Sequence, residues 1–341
     1  MKIAMNTIPI IFNENITPYT AVGGKEHIGS SGITAVVLNR SPLVRRSFFQ
    51  EIEKTGFDTV ISVESSAPHY DIEELAGRFP FVRFIIPERE INIGEQINLA
   101  ASETQSALFF VIRSDMKIII GGTARRIAER LKIIPEEKNE KIICFKRLCT
   151  VPILMNSNYE IFPSIVTPAT QKKKMHKRSL QPIFIEPKNE GDCTLYPFDG
   201  IGIYDKQRFI EMGGYDVSIK KLHWQLMDFG FRAHLWGEQI ALSINLKLSY
   251  EGELPVENSS IEESYRRFYL KNLAPIIKNN YNQNKEAHLP FYRFFSFMKN
   301  SGEDIFSAWK EFKESRRWVN INKNRWICDA RELANKWSLS V

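Results

Sequence analysis

The sequence lacks any hydrophobic stretch that could cross a membrane, and it contains few cysteines. No window approaches 18 consecutive apolar residues, which excludes a membrane-spanning helix. The four cysteines, Cys144, Cys149, Cys193 and Cys328, have neither CxxC spacing nor histidines at zinc-finger intervals. We therefore expect reduced thiols and no metal site built on them. The first residues also lack the apolar core of a signal peptide, so we expect a cytoplasmic protein.

The composition is that of a folded globular protein with a small basic excess. The 341 residues are 43% hydrophobic and 25% charged, and the net charge is +6. This length allows one large α/β domain with a smaller appended region. Part of the basic excess lies in Lys172–Arg178, which is either a solvated loop or an anion-binding element. No recognised nucleic-acid module accompanies it, so we expect no nucleic-acid partner.

Short β-branched runs alternate with helical patterns in the first part of the chain. The patterns predict strands over 33–38, 58–63, 82–86 and 107–113, and helices over 43–54, 71–78, 94–105 and 123–132. This alternation predicts an α/β fold with a parallel sheet and helices on its faces. Ligands bind beyond the carboxyl ends of such strands. The residues that follow the strands are therefore the first site candidates: Asn39-Arg40, Glu64-Ser65 and Arg113-Ser114-Asp115.

The pattern of apolar and polar residues divides the chain into three segments. Residues 1–30 have no clear period and end in glycine- and serine-rich sequence, so we expect a lead-in segment. Residues 31–255 carry the α/β pattern, which becomes mixed strands and loops after about residue 142. Residues 256–341 are helical, aromatic and basic. We expect the aromatic residues of this extension to form helical core, with a membrane-facing surface as the alternative.

The order of motifs in the α/β segment resembles that of inverting family 2 glycosyltransferases and other GT-A enzymes. The strand-end motifs above are followed by Gly213-Gly214-Tyr215-Asp216 and by a helix that contains His223 and Trp224. The resemblance covers roughly residues 33–252. It implies a GT-A fold, a mixed Rossmann-like sheet with helices on both faces. It also implies a UDP- or GDP-sugar as donor.

The resemblance assigns donor-binding roles to the strand ends. Glu64 would hydrogen-bond the nucleobase, and Asn39 and Arg40 would line the pocket for the base and ribose. Asp115 stands where the family's Asp-x-Asp motif contacts a divalent cation, manganese or magnesium, while Arg113 replaces the first acid of that motif. Arg113 either pairs with Asp115 and leaves no metal site, or supplies positive charge to the diphosphate itself.

The later motifs would shape the sugar and acceptor side of the site. In the family, the turn that contains Gly213, Gly214 and Tyr215 forms the floor between donor sugar and acceptor, and we place Trp224 beside it. Glycine in such a turn allows the backbone to approach a ligand closely.

The family's catalytic base does not align with an acid in this sequence. When the helix is aligned on Arg232, the family's Glu-Asp pair falls on Gln225-Leu226, and Asp228 is the nearest carboxylate. Asp228 is therefore either the base or a structural partner of Arg232 at i,i+4. Asp216 and His223 are the reserve candidates for the base.

These motifs predict a cytoplasmic glycosyltransferase that moves a sugar to a cell-envelope glycan, a lipid-linked glycan or a protein, with inversion. The altered acidic motifs leave two alternatives: a GT-A-fold binding or scaffold protein without turnover, and a retaining transferase. The basic run Lys172–Arg178 fits a loop that closes over the donor phosphates. It fits equally well a peripheral contact with an anionic membrane face.

Overall fold

The computed structural model describes residues 17–39, 45–64, 71–120, 124–132, 147–172, 178–255, 259–260, 263–279, 285–301 and 305–338. Its centre is a nine-stranded sheet. The strands of the chain are β1 Tyr19–Gly23, β2 Ile33–Leu38, β3 Thr59–Val63, β4 Val82–Pro87, β5 Leu108–Arg113, β6 Met116–Ile120, β7 Arg147–Met155, β8 Ile165–Lys172, β9 Arg178–Ile185, β10 Gly202–Asp205, β11 Gln239–Tyr250, β12 Ile276–Asn279 and β13 Lys285–His288.

The helices are mostly short, and up to residue 132 they largely alternate with the strands. They are α1 Arg45–Ile52, α2 Ile72–Arg78, α3 Ile93–Glu103, α4 Ala124–Lys132, α5 Lys206–Glu211, α6 Leu222–Leu235, α7 Glu263–Phe268, α8 Tyr292–Ser301, α9 Ile305–Ile321 and α10 Ala330–Ser338. The helix α7 continues as one wider turn over Tyr269–Leu273. The elements predicted between residues 33 and 132 all occur, with ends within a few residues of the expected positions.

One half of the sheet is parallel, as the alternating pattern predicts. Strands β4, β3, β2 and β5 lie side by side in that order with parallel pairing. Strand β2 is buried on both faces because Ala35 and Val37 pack into one core, and Val36 and Leu38 into the other. This two-sided burial explains why the strand is an unbroken run of small and β-branched residues.

The other half of the sheet is mixed. Strand β10 pairs antiparallel with both β5 and β7, while β7 and β11 are parallel. Strand β6 closes this edge against β11. Because β10 runs opposite to its neighbours, the residues that precede it lie at the same edge as the residues that follow β5. Asp199 is thereby brought to the carboxyl edge of the parallel strands.

The expected lead-in segment contributes to the sheet. Strand β1 pairs antiparallel with β4, from Tyr19 opposite Pro87 to Gly23 opposite Arg83. The tyrosine hydroxyl also donates to the Glu103 carboxylate at the end of α3. Residues 19–23 therefore form the edge strand of the α/β domain, a position where a half-exposed, weakly patterned strand is tolerated.

The C-terminal extension packs against the domain through a shared hydrophobic core. Trp318 of α9 stacks on Trp236 at the end of α6, with ring centroids 5.7 Å apart, and Trp326 packs against both. Phe312 and Phe294 are also buried. These contacts agree with the expectation of helical core. Phe306, by contrast, is 84% exposed.

The two ends of the basic run, Lys172 and Arg178, belong to a pair of antiparallel strands. Strands β8 and β9 pair antiparallel, and the last pair of the ladder joins Lys172 to Arg178. Residues 173–177 lie outside the described part of the chain. Among the described residues, no helix is long and apolar enough to cross a membrane.

Candidate donor-binding site

A compact polar cluster occupies the ends of β2 and β3. The Asn39 amide nitrogen donates to Ser62 Oγ at 2.8 Å and to Glu64 Oε1 at 2.6 Å, and the Ser62 hydroxyl donates to the same carboxylate oxygen at 2.7 Å. Glu64 is 2% exposed. The parallel pairing of the two strands brings these side chains together, since both strands end at the same edge. Asn39 and Glu64 thus meet as the sequence predicts, and Arg40 lies outside the described residues.

The end of β5 carries a buried ion pair that the sequence does not reveal. Arg113 donates to Asp199 through Nη2 to Oδ1 at 2.6 Å and through Nε to Oδ2 at 3.1 Å. The Tyr250 hydroxyl donates to the same carboxylate at 3.2 Å. Burial alone would lower the pKa of Arg113, but the adjacent Asp199 carboxylate outweighs it and the pKa is raised. The guanidinium is therefore charged and already neutralised by a partner within the protein.

The structure replaces the predicted pairing of Arg113 with Asp115 by another partner, while the predicted role toward the diphosphate stays a prediction. The bidentate partner of Arg113 is Asp199 rather than Asp115, and the side chain is 2% exposed. Asp199 precedes a glycine and adopts a left-handed backbone conformation with φ 54°, a conformation that aspartate tolerates better than most residues.

Asp115 lies in the tight turn between β5 and β6 and is half-buried. Its carbonyl oxygen accepts a hydrogen bond from the Glu251 backbone at 2.8 Å, which ties the turn to the end of β11. A divalent cation requires several oxygen ligands and favours carboxylates. The described residues contain no group of three or more His, Cys, Asp or Glu side chains that could hold a metal. One carboxylate beside a buried guanidinium does not fit a cation held by the protein alone.

The Gly-Gly turn is fixed from behind by an arginine. Gly213 and Gly214 both have positive φ, 80° and 61°. Arg232 of α6 donates to the carbonyl oxygens of Met212 and, at 2.6 Å, of Gly214. A fully buried arginine thus satisfies the carbonyls that the left-handed turn leaves unpaired. The role of this turn as the floor between donor sugar and acceptor stays a prediction.

The side chains expected on the floor point into the core. Tyr215 is fully buried, stacks on Phe229 with centroids 4.5 Å apart and shares a 2.9 Å hydrogen bond with the Tyr204 hydroxyl. Trp224 is 6% exposed, and its indole N–H donates to the Ser260 carbonyl at 2.9 Å. Both rings hold helix α6 in place and are not available at the surface of the site.

The two acidic candidates for the base, Asp216 and Asp228, lie in one buried ion network. Lys271 Nζ is 2.8 Å from Asp216 Oδ2 and 2.8 Å from Asp228 Oδ1. Arg267 pairs with Asp216 at 2.7 Å, and Arg232 pairs with Asp228 at 3.1 Å. Both carboxylates are fully buried. Since a general base must reach the hydroxyl that it deprotonates, this geometry favours the structural interpretation of Asp228.

The network joins the C-terminal extension to the domain. Burial would raise the pKa of Asp216, but the charges of Lys271 and Arg267 outweigh this effect and hold the pKa well below its usual range. The Asn272 amide donates to Asp228 at 2.8 Å. Three residues of the extension thus neutralise or hydrogen-bond two carboxylates of the domain. Sequence reasoning missed them because nothing local marks Arg267, Lys271 and Asn272 as partners of residues more than 40 positions away.

No protein-family model matches the chain. Among solved structures, that of GalNAc-T7 with UDP, GalNAc and Mn²⁺ superposes with a TM-score of 0.53, covering 84% of this chain and 55% of that chain at 12% identity. The fold is GT-A. The expected fold class is therefore confirmed. The chain spans about half the length of GalNAc-T7, and at this identity the similarity concerns the fold alone.

Three other similarities are weaker. Staphylococcus aureus TarS superposes with a TM-score of 0.46 over 85% of this chain and 43% of that chain at 11% identity. The mannosyltransferase PcManGT from Pyrobaculum calidifontis gives 0.41 over 90% and 74% at 8% identity. An Arabidopsis thaliana protein called DEAD-box ATP-dependent RNA helicase 7 is 25% identical over 144 residues, 39% of this chain and 21% of that protein. The present sequence contains no G-x-x-x-x-G-K-[ST] phosphate loop.

Proposed function

We propose that the chain is a glycosyltransferase that binds a nucleoside-diphosphate sugar at the carboxyl edge of the sheet. The observation that carries this proposal is the Asn39–Ser62–Glu64 cluster, which follows two adjacent parallel strands. Nucleotides bind at this edge in open α/β sheets. The GalNAc-T7 structure contains UDP and GalNAc, and the shared fold supports a nucleotide sugar as the donor here.

The cluster presents hydrogen-bond acceptors to a nucleobase. Asn39 Oδ1 is buried and accepts no hydrogen bond from any described residue. A buried acceptor without a donor is costly, by about 1–3 kcal/mol, and a ligand N–H can supply the missing donor. Uracil and guanine each carry a ring N–H next to a carbonyl. The proposed donor is therefore a UDP- or GDP-sugar, with Asn39 and Glu64 reading the base.

For the acceptor, the fold class supports a proposal of chemical class only. The sugar would pass to a hydroxyl of a cell-envelope glycan, a lipid-linked glycan or a protein. Because Asp216 and Asp228 are both held in buried ion pairs, neither is assigned as the base. The stereochemistry of the product, inverting in the first proposal, therefore rests on the family resemblance.

A second candidate function is nucleotide-sugar binding without turnover. The same two ion-paired carboxylates favour it, together with the pairing of Arg113 to Asp199, which occupies the guanidinium that could otherwise face the diphosphate. In this case the protein would sense or present a donor. Its donor affinity would equal that of an enzyme, but no sugar would be released or transferred.

Calorimetric titration of the full chain with UDP- and GDP-sugars, with and without manganese, tests the shared part of both proposals. We expect saturable binding of one nucleotide class, and absence of binding to every donor would exclude both functions. Mass spectrometry of the bound donor then separates them. Release or transfer of the sugar supports the transferase, and an intact donor after long incubation with candidate acceptors supports the binding protein.

A further inference from the structure

We propose a phosphate-binding site in the C-terminal extension, separate from the donor site. A cavity of about 360 Å³ lies between the end of β13 and helix α9. Its polar lining comes from Lys313, Arg316, Arg317, Asn320 and His288, and its floor is apolar. The volume is at the small end of the range of ligand sites, about 300–1,000 Å³.

The cationic lining follows from the sequence of α9. Lys313, Arg316, Arg317 and Asn320 stand at i, i+3, i+4 and i+7, which places them on one face of a helix. The acids of the same helix, Glu311 and Glu314, are turned to the other flank, where both contact Arg267. Lys313, Arg316 and Arg317 thus face the cavity, while the two acids face Arg267 of α7.

The positive charge in the cavity is not compensated by the surrounding described residues. No Asp or Glu lines it, and within the described ranges Lys313, Arg316 and Arg317 form no salt bridge with any carboxylate. Lys313 instead lies 5.2 Å above the ring of Trp309. The pKa of His288 is lowered by burial and by the positive charges of Lys278 and Arg316.

The donor set specifies the chemistry of the ligand. Two adjacent guanidinium groups present planar N–H pairs that match phosphate oxygens, and the lysine and the asparagine amide add further donors. The surrounding segment supports the same charge preference. Residues 256–341 contain fifteen Lys and Arg against ten Asp and Glu, so five of the six net positive charges of the chain belong to this extension. A phosphate monoester or phosphodiester of modest size is the ligand that these groups fit.

Titration of the full chain with inorganic phosphate at low ionic strength tests the site. We expect saturable binding that weakens about tenfold or more in the double variant Arg316→Gln/Arg317→Gln, because two charge-assisted contacts are lost. The matched control is Lys310→Gln/Arg331→Gln, which removes two exposed cations outside the cavity and should bind phosphate like the parent. Donor binding at the sheet edge should be unchanged in both variants, which separates this site from the proposed function.

Vesicles distinguish the sources of the phosphate. Cosedimentation with phosphatidylglycerol-containing vesicles but not with pure phosphatidylcholine, lost in the cavity variant, would identify a lipid headgroup. Phosphate binding without vesicle binding would identify a soluble phosphate or a phosphorylated acceptor. Equal phosphate affinity in the parent, the cavity variant and the control would show only general attraction to a basic protein, and would overturn the proposal. So would absence of phosphate binding by the parent chain.

Discussion

Arg113 and Asp199 form a bidentate ion pair across the sheet, with Nη2 and Oδ1 2.6 Å apart and both side chains at most 2% exposed. The pair links the end of β5 to the residues before β10, 86 positions along the chain. Arg113 stands where the family resemblance expects the first acid of an Asp-x-Asp motif. This position has a buried structural partner in the structure.

Removing the charge of one partner of this pair should destabilise the protein. Asp199→Asn keeps the shape but leaves the buried guanidinium without its counter-charge, and we expect the free energy of unfolding to fall by about 3–5 kcal/mol. Urea denaturation measures the change. The exposed pair Arg125–Glu129 provides the control, since Glu129→Gln should cost less than about 1 kcal/mol. Equal small effects at both positions would contradict the structural role given to Asp199.

Glu64 should control nucleotide affinity. In Glu64→Gln the two hydrogen bonds to Oε1 can persist, but the negative charge that favours a base N–H is lost. We expect donor affinity to fall about tenfold, corresponding to about 1.4 kcal/mol. Calorimetry on the parent, Glu64→Gln and the surface control Glu129→Gln measures it. Unchanged affinity in Glu64→Gln would move the base-binding role to other residues.

Substitution of Asp115 tests metal dependence, because donor affinity should change in opposite directions with and without a cation bound to its carboxylate. If no cation intervenes, this charge repels the donor diphosphate, so Asp115→Asn should leave donor affinity unchanged or increase it up to about tenfold. We also expect manganese to change the affinity of the parent by less than about threefold. Titrations in manganese and in chelator check both statements. Weaker binding of Asp115→Asn in manganese alone would instead show a cation held between Asp115 and the diphosphate.

Sequence reasoning predicted the elements whose side chains are buried on both faces. Strand β2 is a continuous apolar run because each face meets a core, and its short length and β-branched residues favour a strand over a helix. Strand β1 was not predicted because it is a half-exposed edge strand, YTAVG, whose pairing with β4 is set by tertiary contact. The carboxyl ends of the parallel strands lie at one edge of the sheet, as expected, because parallel strands run in the same direction.

The partners of charged side chains could not be predicted in the same way. Asp228 and Arg232 are four residues apart on one helix, and their pairing follows from helix geometry. Lys271, which contacts both Asp216 and Asp228, comes from a segment beyond the domain, and its approach depends on how α7 packs against α6. The local sequence does not indicate how these two helices pack. The family resemblance therefore identified the Gly-Gly turn but not the side chains that surround it.

His234 should make the protein sensitive to mild acid. Its Nε2–H donates to the Thr194 carbonyl at 2.9 Å, and burial lowers the pKa from 6.5 to about 4. Because the unfolded chain binds the proton more readily, stability is lost as pH falls from about 6.5 to 4. Linkage gives a loss of about 1–2 kcal/mol between pH 7 and pH 5. Urea denaturation at both values measures it, and His234→Gln should show a correspondingly smaller difference. An identical pH dependence in the parent and His234→Gln would contradict this assignment.

Asp228 should matter for stability more than for chemistry. Asp228→Asn leaves Lys271 and Arg232 partly uncompensated in the interior, and we expect the free energy of unfolding to fall by about 3–5 kcal/mol. Donor affinity of the folded variant should stay within about threefold of the parent, because the side chain is fully buried. Lys271→Met, which removes the shared cation, should destabilise in the same direction. Loss of sugar transfer by about 100-fold or more in Asp228→Asn, with stability and donor affinity unchanged, would instead identify Asp228 as the base.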